Sequence, residues 1–459
     1  MRFAAVLLVA AANLCGCATA IFNKASNEPW TPATPPDMGA PADVMRENSI
    51  VVMFSGGGLR AAAFAHGVLT ALESEKTPEG DLLDDVAIMS SVSGSSLTSA
   101  YYGLYGRDGL RRFREEVLLP GFESGLRLSL NPANLMRILH GGLNAREDFG
   151  DVLDHRVFHG ATFADFYRHP RPSIRIHATD LYHRVPFPFI PPLFTVLCSD
   201  LSRYSVADAV AATMAVPLVF APIVVRTYPD SCPPLPKEVE AFTIKAQTSN
   251  DLRAISRALG AYRDSHAHYI KLADGGLTDN FGVSLLTNTR LIYGTPYAPM
   301  TAPDAVRIRR LLVIVVDASR GPSGDWIDQE EGPAGLDLAL SAADAAVDSA
   351  ARLAADAFDA MIDGWRDSVI AFRCGLSREE VARLGGPAEW NCRDVTFTLA
   401  HLSVQGLPSP LRERLEAIPT RLSLTQEQID TTIEGARMGT RDLPQLRRYI
   451  RERVPSRTP

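Results

Sequence analysis

The sequence is poor in cysteine, with six among 459 residues, and in aromatic side chains, which make up 8%. No two cysteines have the Cys-x-x-Cys spacing that is typical of a structural zinc site, so we expect no metal. The net charge is -7 and the isoelectric point about 5.8, which argues against nucleic-acid binding. A hydrophobic content of 46% with 22% charged residues is typical of a folded chain with one or two cores.

The N-terminus has the pattern of an export signal. Arg2 precedes residues 3–14, which are almost wholly apolar but too few to span a bilayer as a helix. Residues 14–17, Leu-Cys-Gly-Cys, resemble a bacterial lipobox, in which Cys17 becomes the lipidated first residue of the mature chain. By analogy with lipoproteins, Ala18 favours the outer membrane over the inner one. A plain secretory signal cleaved nearby and a chance apolar start are the alternatives.

Four further cysteines, Cys198, Cys232, Cys374 and Cys392, form an even set. An exported protein meets an oxidising compartment, so disulfides are allowed there. Cys374 and Cys392 are the closer pair in sequence, and free buried thiols are the alternative for all four.

Apolar segments and helical patterns alternate after residue 45, which favours an α/β sheet flanked by helices. Strands are predicted at residues 50–54, 86–90, 174–178, 268–272 and 311–316. Helices are predicted at residues 60–72, from residue 97 onward, at 336–365 and at 424–454.

A serine-rich turn, residues 90–96, lies between a predicted strand and a predicted helix. Such a turn can lift one serine hydroxyl to the N-terminus of the helix, where free N–H groups favour negative charge. Ser93 is centred in the turn, and Ser91 and Ser95 occupy the outer positions that need small residues. We therefore predict Ser93 as a nucleophile, although a serine-rich turn taken alone is more typical of an ordinary loop.

An aspartate at the end of a predicted strand is the matching base. Asp274 follows the strand at 268–272 and precedes Gly275 and Gly276, which allow the backbone to pass close to a neighbour. An aspartate within hydrogen-bond reach of a serine can accept its proton without a histidine. By itself, Asp-Gly-Gly is merely a turn signal. We expect His66 to be a packed helix histidine.

Three consecutive glycines, Gly56, Gly57 and Gly58, follow the first predicted strand. Glycine lets a substrate come close to backbone N–H groups, and such groups stabilise the oxyanion that forms when a serine attacks an ester. Arg60 adds positive charge and is expected to brace this loop. The segment has neither the P-loop pattern nor the dinucleotide-binding pattern.

These motifs occur in the order of the patatin-like phospholipase family, which shows Gly-Gly-Gly-x-Arg-Gly, then Gly-x-Ser-x-Gly, then Asp-Gly-Gly. The chain departs from that pattern at Ala61, Ser91 and Ser95, each of which replaces a glycine. Similarity continues at residues 177–181 and 206–222, and the resemblance spans about residues 46–454.

The resemblance implies a patatin-like three-layer α/β/α fold with a central, mostly parallel sheet and a C-terminal helical extension. It also implies a dyad of Ser93 and Asp274, with an oxyanion hole at Gly56, Gly57 and Gly58 supported by Arg60. The expected activity is hydrolysis of lipid acyl esters, of phospholipase A or lysophospholipase type, without a cofactor. An acyltransferase with the same dyad and a non-catalytic lipid-binding lipoprotein are the alternatives.

We predict four segments: a signal peptide at 1–16, a tether at 17–45, a patatin-like catalytic domain at 46–325 and an extension at 326–459 packed on that domain. The expected partners are a phospholipid or another acyl-ester lipid, and a membrane bound through the lipid on Cys17. The expected location is the bacterial cell envelope, at the outer membrane. Residues 186–192, Pro-Phe-Pro-Phe-Ile-Pro-Pro, either line a lipid entrance or form a buried loop.

Overall fold

The computed structural model describes residues 23–34, 44–127, 131–139, 141–168, 172–235, 239, 249–264, 266–321 and 324–455. The predicted signal peptide, Cys17 and part of the predicted tether lie outside these residues. The strands are β1 Glu28–Pro29, β2 Asn48–Phe54, β3 Lys76–Thr77, β4 Gly80–Asp81, β5 Val86–Val92, β6 Ser173–Asp180, β7 Val185–Pro188, β8 Ser199–Asp200, β9 Ile223–Arg226, β10 Tyr269–Ala273, β11 Arg310–Asp317 and β12 Thr396–Ser403.

The helices are α1 Gly58–Ser74, α2 Ser95–Phe113, α3 Pro132–Leu139, α4 Arg146–Leu153, α5 Phe163–Phe166, α6 Pro191–Val196, α7 Val206–Thr213, α8 Asn250–Arg263, α9 Ser284–Tyr293, α10 Ala302–Arg307, α11 Gly335–Gly375, α12 Arg378–Arg383, α13 Leu411–Glu416, α14 Gln426–Asp442 and α15 Pro444–Glu452. Within the described part of the chain, no helix is both long and apolar enough to cross a membrane.

One central sheet organises the molecule. Its strand order is β12-β11-β2-β5-β6-β10-β9, with β7 paired antiparallel to the second half of β6, from His177 to Asp180. The pairs from β12 to β6 are parallel, whereas β10 runs antiparallel to both β6 and β9. The carboxyl ends of β5 and β6 therefore share one edge of the sheet, and the prediction of a mostly parallel central sheet is confirmed.

Both faces of the sheet are covered, which explains the unbroken apolar runs in its central strands. In β2, Ile50 and Val52 belong to the core beneath α1 and α2, while Val51 and Met53 belong to a second core on the opposite face. The second core contains Trp365 from α11. Helices thus cover both sides, and the predicted three-layer α/β/α fold is confirmed.

The segment after residue 325 contributes to the same sheet. Its strand β12 pairs in parallel with β11 along the whole length of β11, from Arg310 against Thr396 to Asp317 against Ser403. The helical pattern at 424–454 forms two helices rather than one, because Pro444 lacks the N–H that would continue α14 and instead begins α15. The division at residue 325 stays a prediction.

The described part of the predicted tether is not a free extended chain. Residues 23–34, here called the strap, lie along the body, where β1 pairs antiparallel with β8. The side chain of Asn27 donates to the Arg226 carbonyl and accepts from the Arg226 N–H, both at 2.8 Å. Hydrogen bonds of this kind do not require apolar residues at helical or strand spacing, so the sequence of this segment predicts a tether.

Two disulfides link the four described cysteines as Cys198–Cys232 and Cys374–Cys392. The first joins the residue before β8 to the loop after β9, and the second joins the end of α11 to the segment before β12. The proline-rich segment at 186–192 forms part of β7 and the start of α6, and its Phe187 and Phe189 are buried, as in the buried-loop alternative.

Candidate active site

Ser93 occupies a sharp turn between β5 and α2. Its φ angle is +53°, a left-handed conformation that non-glycine residues rarely adopt and that recurs at functional turns. The following residue is Gly94, where a Cβ atom would lie 1.9 Å from the carbonyl oxygen of Gly58. The turn therefore presses against the glycine loop, and only glycine fits after the serine.

The small outer residues of the turn have structural contacts. The Ser95 hydroxyl donates to the Val92 carbonyl at 2.8 Å, and the Ser91 hydroxyl donates to the Arg175 carbonyl at 3.3 Å. Both serines are fully buried. Each hydroxyl therefore has a backbone acceptor in this fold, and the close approach of the turn to its neighbour falls at Gly94.

Thr213, the last residue of α7, holds the strained turn in place. Its Oγ1 accepts the backbone N–H of Ser93 at 2.8 Å and donates a short hydrogen bond to the carbonyl of His177. The hydroxyl thereby satisfies a buried N–H that the left-handed turn leaves without a strand partner. Sequence reasoning missed this residue, because a threonine at a helix end carries no signal for such a role.

Asp274 lies directly after β10, opposite Ser93. The Ser93 Oγ donates to Asp274 Oδ2 at 2.7 Å, and the Gly276 N–H donates to Asp274 Oδ1 at 2.9 Å. The backbone N–H of Asp274 donates to the Ala215 carbonyl at 2.9 Å, which fixes the strand end. A Cβ atom on Gly275 would lie 2.2 Å from the His177 carbonyl oxygen, so this glycine permits the close approach.

The environment of Asp274 tunes its acidity. Burial raises the pKa of its carboxyl from 3.8 to about 6, and the hydrogen bonds from Ser93 and Gly276 oppose that rise. Ser93 is only 5% exposed and Asp274 only 9%. A carboxylate with a pKa near 6 is a stronger base than an ordinary aspartate and is still mostly ionised at neutral pH.

Ester hydrolysis should therefore decline in acid. If Asp274 must be ionised to accept the Ser93 proton, kcat/KM is level above its pKa of about 6 and falls below it. The expected slope is about tenfold per pH unit. Rates on a soluble ester between about pH 4.5 and 8, with circular dichroism at each pH to show a folded protein, provide the measurement. An acid limb centred at the pKa of an ordinary aspartate would contradict the role of Asp274.

The glycine loop connects β2 to α1. The N–H of Gly56 is engaged, since it faces the backbone oxygen of Asn280 at 3.3 Å and the side-chain oxygen Oδ1 of the same residue at 3.2 Å. Within residues 44–127 and the other described ranges, no acceptor contacts the N–H groups of Gly57 and Gly58. These two groups are the available donors in this conformation, whereas Gly56 ties the loop to the segment after Asp274.

Arg60 braces the loop from the other side. Its guanidinium is buried and donates to the Ile418 carbonyl at 3.3 Å and to Thr420 Oγ1 at 3.4 Å. Burial, reinforced by the charge of Arg320, lowers its pKa to about 10. The nearby Arg421 carbonyl accepts the Leu59 N–H at 2.8 Å. The C-terminal segment therefore holds the start of α1, and sequence reasoning did not foresee this partner for Arg60.

Two buried histidines lie near these elements, and neither contacts Ser93 Oγ. His177 Nε2 bonds to the Ser90 hydroxyl at 2.8 Å, and burial lowers the His177 pKa to about 4. His66 packs against the Phe113 ring at 5.5 Å, and burial lowers its pKa to about 4 as well. Both imidazoles are neutral at pH 7, and the hydrogen-bond partner of Ser93 Oγ is Asp274. Among the described residues, no cluster of three or more His, Cys, Asp or Glu side chains is placed to hold a metal ion.

Among solved structures, the chain is similar to human GIVD cytosolic phospholipase A2, with a TM-score of 0.42 and 13% sequence identity. That similarity covers 91% of this chain and 64% of the other. A comparison with curated proteins gave no match. Residues 52–287 match the patatin-like phospholipase family, and this span is just over half of the chain and includes Ser93 and Asp274. The chain therefore belongs to the patatin-like phospholipase family.

Proposed function

We propose that this protein hydrolyses acyl esters of membrane lipids through a dyad of Ser93 and Asp274. The observation that carries the proposal is the 2.7 Å hydrogen bond from Ser93 Oγ to Asp274 Oδ2, in a turn that precedes the N-terminus of α2. Membership of the family supports lipid acyl hydrolysis as the activity. A chain that only bound lipid would need neither the strained serine nor a buried carboxylate aimed at it.

The proposed reaction has two halves. Asp274 accepts the Ser93 hydroxyl proton as Ser93 Oγ attacks the ester carbonyl carbon, and the N–H groups of Gly57 and Gly58 stabilise the resulting oxyanion. The tetrahedral intermediate collapses to an acyl ester on Ser93, and the leaving alcohol takes the proton from Asp274. Water then attacks the acyl-serine and gives a proton to Asp274, and this proton passes to Ser93 Oγ as the fatty acid leaves, which restores both residues.

The proposed substrate is a phospholipid or lysophospholipid, and no cofactor takes part in the proposed steps. The purified protein should release fatty acid from mixed phospholipids, and a fluorophosphonate should label Ser93. Mass spectrometry of the labelled peptide and of the released lipids provides both measurements. Acyl groups recovered on a second lipid would favour acyl transfer, and neither release nor labelling would favour a lipid-binding protein.

We also propose that Cys17 carries a lipid that anchors the protein in a bacterial envelope, at the outer membrane. The lipobox-like order of residues 14–17 after a short apolar run supports this proposal. Cys17→Ala should abolish incorporation of labelled fatty acid and move the protein from the membrane pellet to the soluble fraction. Cys15→Ala, two residues away, is the matched control and should retain the label. A Cys17→Ala protein that still carries label and pellets would reject the anchor.

A further inference from the structure

The chain enters the described body at a fixed point. The side chain of Asn23 is buried, and its Nδ2 donates to the carbonyls of Ala221 at 3.2 Å and Pro222 at 2.8 Å. Its Oδ1 accepts the Arg146 N–H at 2.7 Å. Three hydrogen bonds to two separate segments hold this residue against the body, so the path of the N-terminal chain is set from Asn23 onward.

The rest of the strap keeps that entry point from moving. The Ser26 hydroxyl donates to Asp208 Oδ2 at 2.5 Å, and the Thr34 hydroxyl donates to Asp200 Oδ2 at 3.0 Å. The Trp30 N–H donates to the carbonyl of Cys198 at 2.9 Å. Contacts therefore continue from one end of the strap to the other, and the body cannot swing about Asn23 as it would on a free linker.

The residues that bind Asn23 lie close in sequence to a residue that contacts Asp274. Ala221 follows the segment that begins at Ala215, whose carbonyl accepts the Asp274 N–H. Val216 and Pro217 in this segment are exposed, and Val216 is 39% exposed. The stretch from Val216 to Val219, exposed at its first two residues and half-buried at the next two, thus lies in the chain between the residue that contacts Asp274 and the residues that bind Asn23.

Helix α3 adds to this surface. A Cβ atom on Gly142, just after α3, would lie 2.4 Å from the Ala221 nitrogen, so this loop touches the segment that binds Asn23. Leu135 and Met136 of α3 are 55% and 42% exposed. The Leu143 N–H in the same loop donates to the Leu218 carbonyl at 3.2 Å, and we call the exposed residues on the two segments, Leu135, Met136, Val216 and Pro217, the entry patch.

The length of chain before Asn23 limits how far the body can stand from an anchor at Cys17. Five residues lie between the two positions, and the six residue-to-residue steps from Cys17 to Asn23 span at most about 21 Å in a fully extended chain. Lys24 is exposed beside the entry point and supplies positive charge for anionic headgroups. A lipid on Cys17 therefore brings this region of the surface, rather than a remote face, to the bilayer.

We propose that the entry patch rests on the lipid bilayer in which Cys17 is anchored, so that the strap orients the dyad toward the membrane. This inference rests on the proposed lipidation and gives the patch one partner, a lipid surface. The exposed side chains of α11 offer a rival surface, because Leu353 there is 69% exposed. Exposure alone does not distinguish the two surfaces, whereas the short chain from Cys17 to Asn23 favours the entry patch.

Fluorescence quenching tests the orientation without relying on catalysis. Leu135→Cys and, as the matched control, Leu353→Cys are each labelled with bimane in the lipidated full-length protein on vesicles of phosphatidylethanolamine and phosphatidylglycerol. Nitroxide-bearing lipids should quench the label at position 135 severalfold more than the label at 353. Equal quenching, or stronger quenching at 353, would overturn the proposal, as would a protein that takes up no fatty acid at Cys17.

A linker insertion tests the role of the short chain. Twenty Gly and Ser residues inserted between Cys17 and Asn23 should weaken quenching at position 135, because a longer tether lowers the effective concentration of the patch at the bilayer. Hydrolysis of vesicle lipid should fall severalfold, while hydrolysis of a soluble ester stays unchanged. Unchanged quenching and vesicle hydrolysis would reject the orienting role. Quenching at 135 in a protein that hydrolyses neither substrate would keep this surface and reject the proposed function.

Discussion

Ser93→Ala should lower the rate of ester hydrolysis by about 10⁴- to 10⁶-fold, and Asp274→Asn by a factor in the same range. Without Oγ no acyl-serine forms, and without the carboxylate no base contacts the Ser93 hydroxyl, whose acceptor is Asp274 Oδ2 at 2.7 Å. Rates of release of a soluble chromogenic alcohol from its ester, measured with each purified variant, provide the comparison. Thermal unfolding shows whether each variant is folded.

The double variant distinguishes a dyad from two independent residues. Residues that act as a unit have non-additive effects, so removing both should cost about as much as removing one. Ser95→Ala is the matched serine control, because that hydroxyl bonds to the Val92 carbonyl and not to Asp274. His66→Ala is the histidine control. If the rate losses of the two single variants multiply in the double variant, the dyad is rejected. An inactive His66→Ala protein that folds would indicate a histidine base.

The sheet could be predicted from the sequence because its strands are buried on both faces. β2 and β11 carry continuous apolar residues that few other structures accommodate, and both were predicted within two residues of their bounds. β12 was missed, since its burial alternates with half-exposed positions such as Thr396 and the exposed His401. An edge strand with mixed burial carries a weaker signal than a central one.

The turn that carries Ser93 and the strand end that carries Asp274 could be located from the sequence, but the groups that hold these two residues could not. Ser93 and Asp274 follow strands and sit beside glycines, which are features of sequence order. Thr213 and Asn280 accept hydrogen bonds from the backbone N–H groups of Ser93 and Gly56, which are more than a hundred residues away in sequence. Such contacts depend on the tertiary fold and produce no periodic pattern of apolar residues in the sequence.

Contacts between residues distant in sequence also explain why the predictions for the strap and for the serine-rich turn differ from the structure. Asn23 and Asn27 bind backbone groups roughly two hundred residues away, so a proline-rich composition indicates a tether although the segment is docked. The sequence pattern predicts small residues for close contacts of the serine-rich turn at positions 91 and 95, which are Ser91 and Ser95. The structure places it at Gly94, because α2 begins at Ser95 and the loop at Gly58 passes over the residue just before it.

Gly57→Val should lower the hydrolysis rate by about 100- to 1000-fold, the typical cost of losing one oxyanion donor. Gly57 has a φ angle of +136°, which valine does not adopt, so the substituted peptide must rotate and turn its N–H away. A new Cβ would also lie 3.4 Å from the Ala318 carbonyl oxygen and 3.3 Å from the Ala61 Cβ, which limits any adjustment.

Gly160→Val is the matched control, because Gly160 has a φ angle of +78° with open space around it. It should cost stability without a comparable loss of rate. The extent of fluorophosphonate labelling, measured together with the steady-state rate, separates a lost oxyanion donor from a misfolded site. A folded Gly57→Val protein with full turnover would show that the oxyanion is stabilised elsewhere.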